Sequence, residues 1–168
     1  MNRVLNAIDT MSEHTGRTIA WLAVLLVLVL AYEATARFVF DAPTIWAHQF
    51  ATMVGATIAS LGWAYTLRHN AHVRVDIVYS NLSKKWQAGI DAFFTAFFFF
   101  PLLGTSVVVA AKWMERSWRM GETFTESFWY PPAGPLRTLV FIGLLLFLLQ
   151  GFALFWRALQ VLAERRSS

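Results

Sequence analysis

The stretch IAWLAVLLVLVLAYEATARFVF, Ile19–Phe40, carries only two charged side chains, Glu33 and Arg37, in 22 residues. A helix rises about 1.5 Å per residue, so a run of this length matches the ~30 Å hydrocarbon core of a bilayer. Three more such runs follow, Ile45–Leu67, Ala92–Ala111 and Thr138–Trp156, and none of them contains Asp, Glu, Lys or Arg. Shorter apolar runs would indicate the buried core of a soluble fold. The pattern predicts an all-α integral membrane protein: four transmembrane helices, preceded by a short amphipathic N-terminal helix, in one domain over residues 1–168.

Composition agrees. Apolar residues make up 57% of the chain and charged residues 14%, where soluble domains carry about 25% charge. The net charge is +4. In a membrane protein that excess belongs beside anionic headgroups, and no basic run with interleaved aromatics suggests a nucleic-acid groove. There is no cysteine, which excludes disulfides, thiolate metal sites and a thiol nucleophile.

The leader, with Val4, Leu5, Ile8 and Met11 at helical spacing, predicts a short helix on the membrane surface. Its length and its acids, Asp9 and Glu13, argue against a cleaved signal peptide, although Ala34-Thr35-Ala36 resembles a cleavage site. Four spans put both termini on one side. That side holds nine Lys and Arg residues, among them Arg3, Arg17, Arg68, Lys84 and Arg157, against five toward the other, which predicts cytoplasmic termini. The first loop, Asp41-Ala42-Pro43-Thr44, reads as a sharp turn because proline disfavours helix at the residue before it. The outer loop between spans three and four, residues 112–137, bears Trp113, Trp118, Trp129 and Tyr130, rings suited to the interface.

Few residues have the chemistry of a site. Glu33 and Arg37 stand four apart on one helical face near the outer end of span one, which fits a structural ion pair better than a substrate or ion site. Ala51, Gly55 and Ala59, with Ala56, Ser60 and Ala64 beside them, form small-residue ridges that let helices approach, within this chain or in a partner. Pro101, after Phe97-Phe98-Phe99-Phe100, predicts a kink in span three, and the Phe run suits lipid contact and core bulk. Of His14, His48, His69 and His72, only His48 falls within a span, and near its end, while His69 and His72 sit at the opposite face, so paired axial haem ligands are not expected. No phosphate-binding glycine loop or HExxH element occurs.

The loop after span two reads Leu67-Arg68-His69-Asn70-Ala71-His72-Val73-Arg74-Val75-Asp76-Ile77. Physically it is a basic interfacial loop. In residue order, His72-Val73-Arg74-Val75-Asp76 after a span rich in alanine and glycine resembles the small membrane (Q-type) subunit of TRAP transporters, the tripartite ATP-independent periplasmic transporters. Glu33 and Arg37 before Phe38-Val39-Phe40, the Pro-bearing turn with Trp46, Gly121-Glu122, and Leu149-Gln150 before a basic tail agree along nearly the whole chain. Ala47-His48-Gln49 departs from the pattern, since many relatives have an acid shortly after the tryptophan.

The resemblance implies partners: a large polytopic permease subunit that holds the substrate and ion sites, a periplasmic substrate-binding protein, and membrane lipid. It implies ion-coupled uptake of an organic solute, often an organic acid, with the small subunit bracing the large one. No enzyme activity, cofactor, metal or substrate ligand in this chain is expected. Glu33 and Arg37 are expected to fix span one, Trp46 to anchor the outer interface, Gly55 and Ala59 to form a packing face, and His72, Arg74 and Asp76 to order the loop against the membrane or the large subunit. The rival expectation is a membrane-anchor subunit of a redox complex, a cytochrome-like four-helix bundle. A self-contained small transporter is disfavoured by the shortage of buried polar groups.

Overall fold

The computed structural model describes residues 2–69, 82–126 and 128–164. Within them the chain forms α1 (Asn2–Phe38), α2 (Ala47–Arg68), α3 (Lys84–Phe94), a π-helical turn (Thr95–Phe99), α4 (Phe100–Met120) and α5 (Ala133–Glu164). The segment from α3 to α4 is one span, so four helices are long and apolar enough to cross a membrane. They coincide with the four runs read from the sequence.

The leader is helical, but no break separates it from span one, and α1 runs unbroken for 37 residues. Its apolar side meets protein. Leu5 and Ile8 are buried with Ala153 of α5, and Leu149 and Trp156 pack against them. Val4 and Met11 stay exposed. The surface helix expected there is therefore an extension of the first span, held to the last one at the end of the bundle that carries both termini.

At the other end α1 stops at Phe38. Asp41 takes a left-handed φ of 49°, and the Ala42 N–H donates back to the Ala36 carbonyl at 2.9 Å. Pro43 then disfavours helix at Ala42, and α2 begins at Ala47.

Pro101 acts one turn earlier than a simple kink would. It has no N–H for the Phe97 carbonyl, and its ring crowds that oxygen. The backbone widens to i→i+5 bonding over Thr95–Phe99, and the Phe100 N–H donates to the Thr95 carbonyl. The Phe run divides accordingly. Phe97 and Phe98 are exposed, whereas Phe99 meets Phe147 at 5.1 Å and Phe100 meets Phe155 at 5.4 Å on α5.

α5 is the hub. It packs on α2, α3, the π turn, α4 and α1, while α2 lies between α1 and α5. Glycine permits the tightest of these contacts. At Gly143 an added Cβ would stand 2.5 Å from the Ser60 carbonyl oxygen, so α2 and α5 cross nearly backbone to backbone. At Gly151 the Phe99 ring occupies the space a side chain would need.

Candidate partner-binding site and inter-helix clamps

Ten charged side chains of the described residues gather in three clamps at the bundle ends. The outer clamp of α1 is built on Glu33, which is buried at 9% exposure. Arg37 Nη2 donates to Glu33 Oε1 at 2.7 Å. The Thr44 backbone N–H donates to Oε2 at 3.2 Å, and the Thr44 hydroxyl donates to the same oxygen. Spacing on the helix explains the Arg37 contact. The turn at Asp41 explains the Thr44 contact, because it folds the loop back over its own helix. Trp46 stacks on Tyr32 with centroids 6.0 Å apart and meets Phe50 edge-on at 6.1 Å. Phe50 in turn meets Trp129 of the outer loop at 6.5 Å. Trp46 thus sits in an aromatic chain joining α1, α2 and that loop.

The second outer clamp centres on Glu122. Gly121 ends α4 in the left-handed conformation with φ 60° and its N–H bonded to the Ser117 carbonyl, as a helix C-terminus favours. The Glu122 N–H also reaches Ser117, and its carbonyl accepts the Ala133 N–H at 2.8 Å. The Glu122 carboxylate pairs with Arg116 at 3.1 Å on one side and with Arg137 of α5 on the other. The Arg137 guanidinium lies 5.4 Å from the Trp113 ring centroid, a cation–π contact. One carboxylate therefore ties the end of α4, the loop and the start of α5.

The third clamp lies at the end bearing both termini and joins three helices. Ser12 Oγ donates to Gln150 Oε1 at 2.9 Å, and both side chains are fully buried. Gln150 Nε2 donates to Asp9 Oδ1 at 3.1 Å, and Arg157 donates to Asp9 Oδ2. From α2, Arg68 Nη1 donates to the Asp9 carbonyl at 2.6 Å and to Glu13 Oε2 at 2.8 Å. His69 Nε2 stands 3.1 Å from the same Glu13 oxygen, and Arg17 Nε donates to Oε1 at 3.3 Å. Each buried polar atom in this chain of contacts has a partner, which low-dielectric burial requires. Sequence reasoning used Asp9 and Glu13 only to exclude a signal peptide. Their position one turn beyond Leu5 and Ile8 was the available signal.

The small-residue ridges also divide. Ser60 and Ala64 are buried in the bundle. Gly55 has nothing within 4 Å of where its Cβ would stand, and Ala59 is exposed. The close approach inside the chain runs along Ser60, leaving Gly55 and Ala59 on a face turned away from it. His72, Arg74 and Asp76 lie outside the described residues.

Among the described residues no three His, Asp or Glu side chains converge on a metal-sized site. His48 and His69 lie at opposite ends of α2, about 31 Å apart along its axis, so they cannot ligate one haem between them. At mid-depth the hydroxyls bond their own helix: Thr57 donates to the Met53 carbonyl and Ser60 to the Thr57 carbonyl. These features define an all-helical, multi-pass membrane component.

The family follows from comparison with known proteins. The family model described as "Tripartite ATP-independent periplasmic transporters, DctQ component" matches residues 7–161, and the chain belongs to that family. It is a small permease subunit of a TRAP transporter, a multi-pass protein of the inner membrane, and not an enzyme. No curated protein sequence matches it.

Proposed function

We propose that this chain is the immobile brace of its transporter: it holds a large permease subunit in place during ion-coupled uptake of an organic solute, an organic acid by preference, delivered by a periplasmic binding protein. The observation that carries the reading is the distribution of polar groups. Ten charged side chains are spent on three clamps at the bundle ends, the mid-depth hydroxyls of Thr57 and Ser60 bond their own helix, and broad apolar faces bearing Phe93, Phe97, Phe98, Leu102 and Val109 stay exposed. A mobile carrier needs polar groups at mid-depth that bind and release its cargo. A scaffold needs rigid helices and apolar surface for lipid and partner.

In this reading Glu33 and Arg37 fix the outer end of α1, and Trp46 anchors the interface. Gly55 and Ala59 offer a flat face to a helix of the large subunit. His72, Arg74 and Asp76 order the loop against it. The test is purification of the tagged chain from its native membrane in mild detergent, followed by reconstitution. Recovery of one polytopic permease in near-equal amount, with solute uptake only when permease and binding protein are both present, is the expected result. Solute flux through liposomes holding this chain alone would overturn the proposal.

A further inference from the structure

An open cleft of about 420 Å³ runs between α3 and α5 at the end of the bundle that carries both termini. Its lining is mixed. Lys84, Gln87, Asp91, Thr95 and Arg157 contribute polar atoms, and Phe94, Leu154, Phe155 and Val161 form an apolar wall beside them. Lys84 begins α3 and Phe94 ends it, so the ammonium and the Phe94 ring stand about 15 Å apart along the helix. Trp86, exposed beside Lys84, has the ring chemistry of the interfacial belt and marks that level. Phe94 also meets Phe98 at 5.5 Å, and Phe98 is exposed one turn deeper. The apolar wall therefore continues out of the cleft as a track along the third span.

We propose that this cleft is a phospholipid site. The phosphodiester sits between the Lys84 ammonium and the Arg157 guanidinium, and an acyl chain lies along Phe94 and Phe98. Arg157 is already bonded to Asp9 and Asp91 also lines the cleft, so the charge that favours an anionic group is that of Lys84 at the cleft mouth. The Lys84 ammonium is a point charge with three donors, and a guanidinium has five, of which the Asp9 contact uses Nη2. A water-soluble anion would use the polar end alone and leave the aromatic track unoccupied. A lipid fits both halves at once, in the orientation that the membrane imposes. Its binding would also bridge the third span to α5 beside the Asp9–Arg157 clamp, where α3 has α5 as its principal neighbour.

The test uses the full chain purified in detergent, titrated with dioleoylphosphatidylglycerol in mixed micelles. Native mass spectrometry and thermal melting give the readouts. Dioleoylglycerol, which lacks the phosphate, and inorganic phosphate, which lacks the chains, are the controls. One retained phospholipid per chain and a raised melting temperature are expected with the phospholipid only. Lys84→Gln, at an exposed position, should raise the apparent Kd about fivefold. Ala158→Phe, which fills the cleft, should abolish the retained lipid. Should that variant fail to fold, Lys84→Gln decides the matter alone. Equal stabilisation by dioleoylglycerol or by inorganic phosphate would overturn the proposal, as would wild-type affinity in Lys84→Gln. Loss of the co-purifying permease in Ala158→Phe, with the lipid response unchanged, would assign the cleft to a protein helix and overturn it as well.

Discussion

Gly143 of α5 faces Ser60 of α2 so closely that a single added methyl would stand 2.5 Å from the Ser60 carbonyl oxygen. That atom is backbone and cannot swing aside. Gly143→Ala should destabilise the purified chain by about 1–3 kcal/mol through overpacking, and Gly143→Leu should abolish the folded bundle. Gly55→Ala provides the contrast. Nothing lies within 4 Å of its Cβ position, so that change should be neutral or stabilising by up to about 1 kcal/mol. Thermal melting in one detergent checks both. Similar losses in the two variants would contradict the crossing.

The Ser12–Gln150 bond predicts a coupled pair. Gln150→Leu leaves the buried Ser12 hydroxyl without its acceptor, at a cost of about 1–3 kcal/mol. Ser12→Ala in the same background should recover part of that loss, because the orphaned group is then gone. A double-mutant cycle measures the recovery. Additive losses would mean that the two side chains do not share a bond.

Glu33 and Arg37 form an ion pair, yet their removal should have unequal effects. Arg37 is half exposed, with 51% of its side chain open, and an exposed i,i+4 pair is worth about 0.3–0.5 kcal/mol. Glu33 additionally accepts from both donors of Thr44. Glu33→Ala should therefore cost about 2 kcal/mol and loosen the first turn, while Arg37→Ala should change the melting temperature little. Equal effects would reduce the site to a simple pair.

The two faces of the Phe run should differ in the same way. Phe99, partly buried, fills the space at Gly151, so Phe99→Ala should cost about 1–3 kcal/mol through the contacts it removes. Phe97 is 67% exposed, and Phe97→Ala should leave the melting temperature of the isolated chain nearly unchanged. Loss of the permease in the Phe97 variant, with stability intact, would identify that face as a partner contact.

For the loop after α2, Arg74→Ala and Asp76→Ala should lower the yield of the assembled transporter or its uptake while the chain still inserts. Wild-type yield and wild-type uptake in both variants would remove the proposed role.

Much of the architecture was legible from composition and periodicity. Four uncharged runs of bilayer length leave few alternatives, since lipid satisfies no backbone polar group and helices satisfy their own. The Glu33–Arg37 pair was legible because 3.6 residues per turn sets it locally. Thr44 as a second partner was not, because it depends on the left-handed turn at Asp41. The inner clamp was not legible either. Asp9 and Gln150 meet only after α1 and α5 have packed, and no local spacing encodes a contact across 141 positions.

The same division holds for the ends of the spans. Sequence alone determined how many helices cross the membrane, which side has the basic excess, and which family the loop after span two resembles, because each rests on local composition or order. Only the tertiary structure decided that the leader continues span one, that Pro101 produces a π turn, and that Ser60 lies at the helix crossing while Gly55 and Ala59 face away from it. Those outcomes depend on which neighbour fills each face, and in a bundle built around α5 the neighbours come from distant parts of the chain.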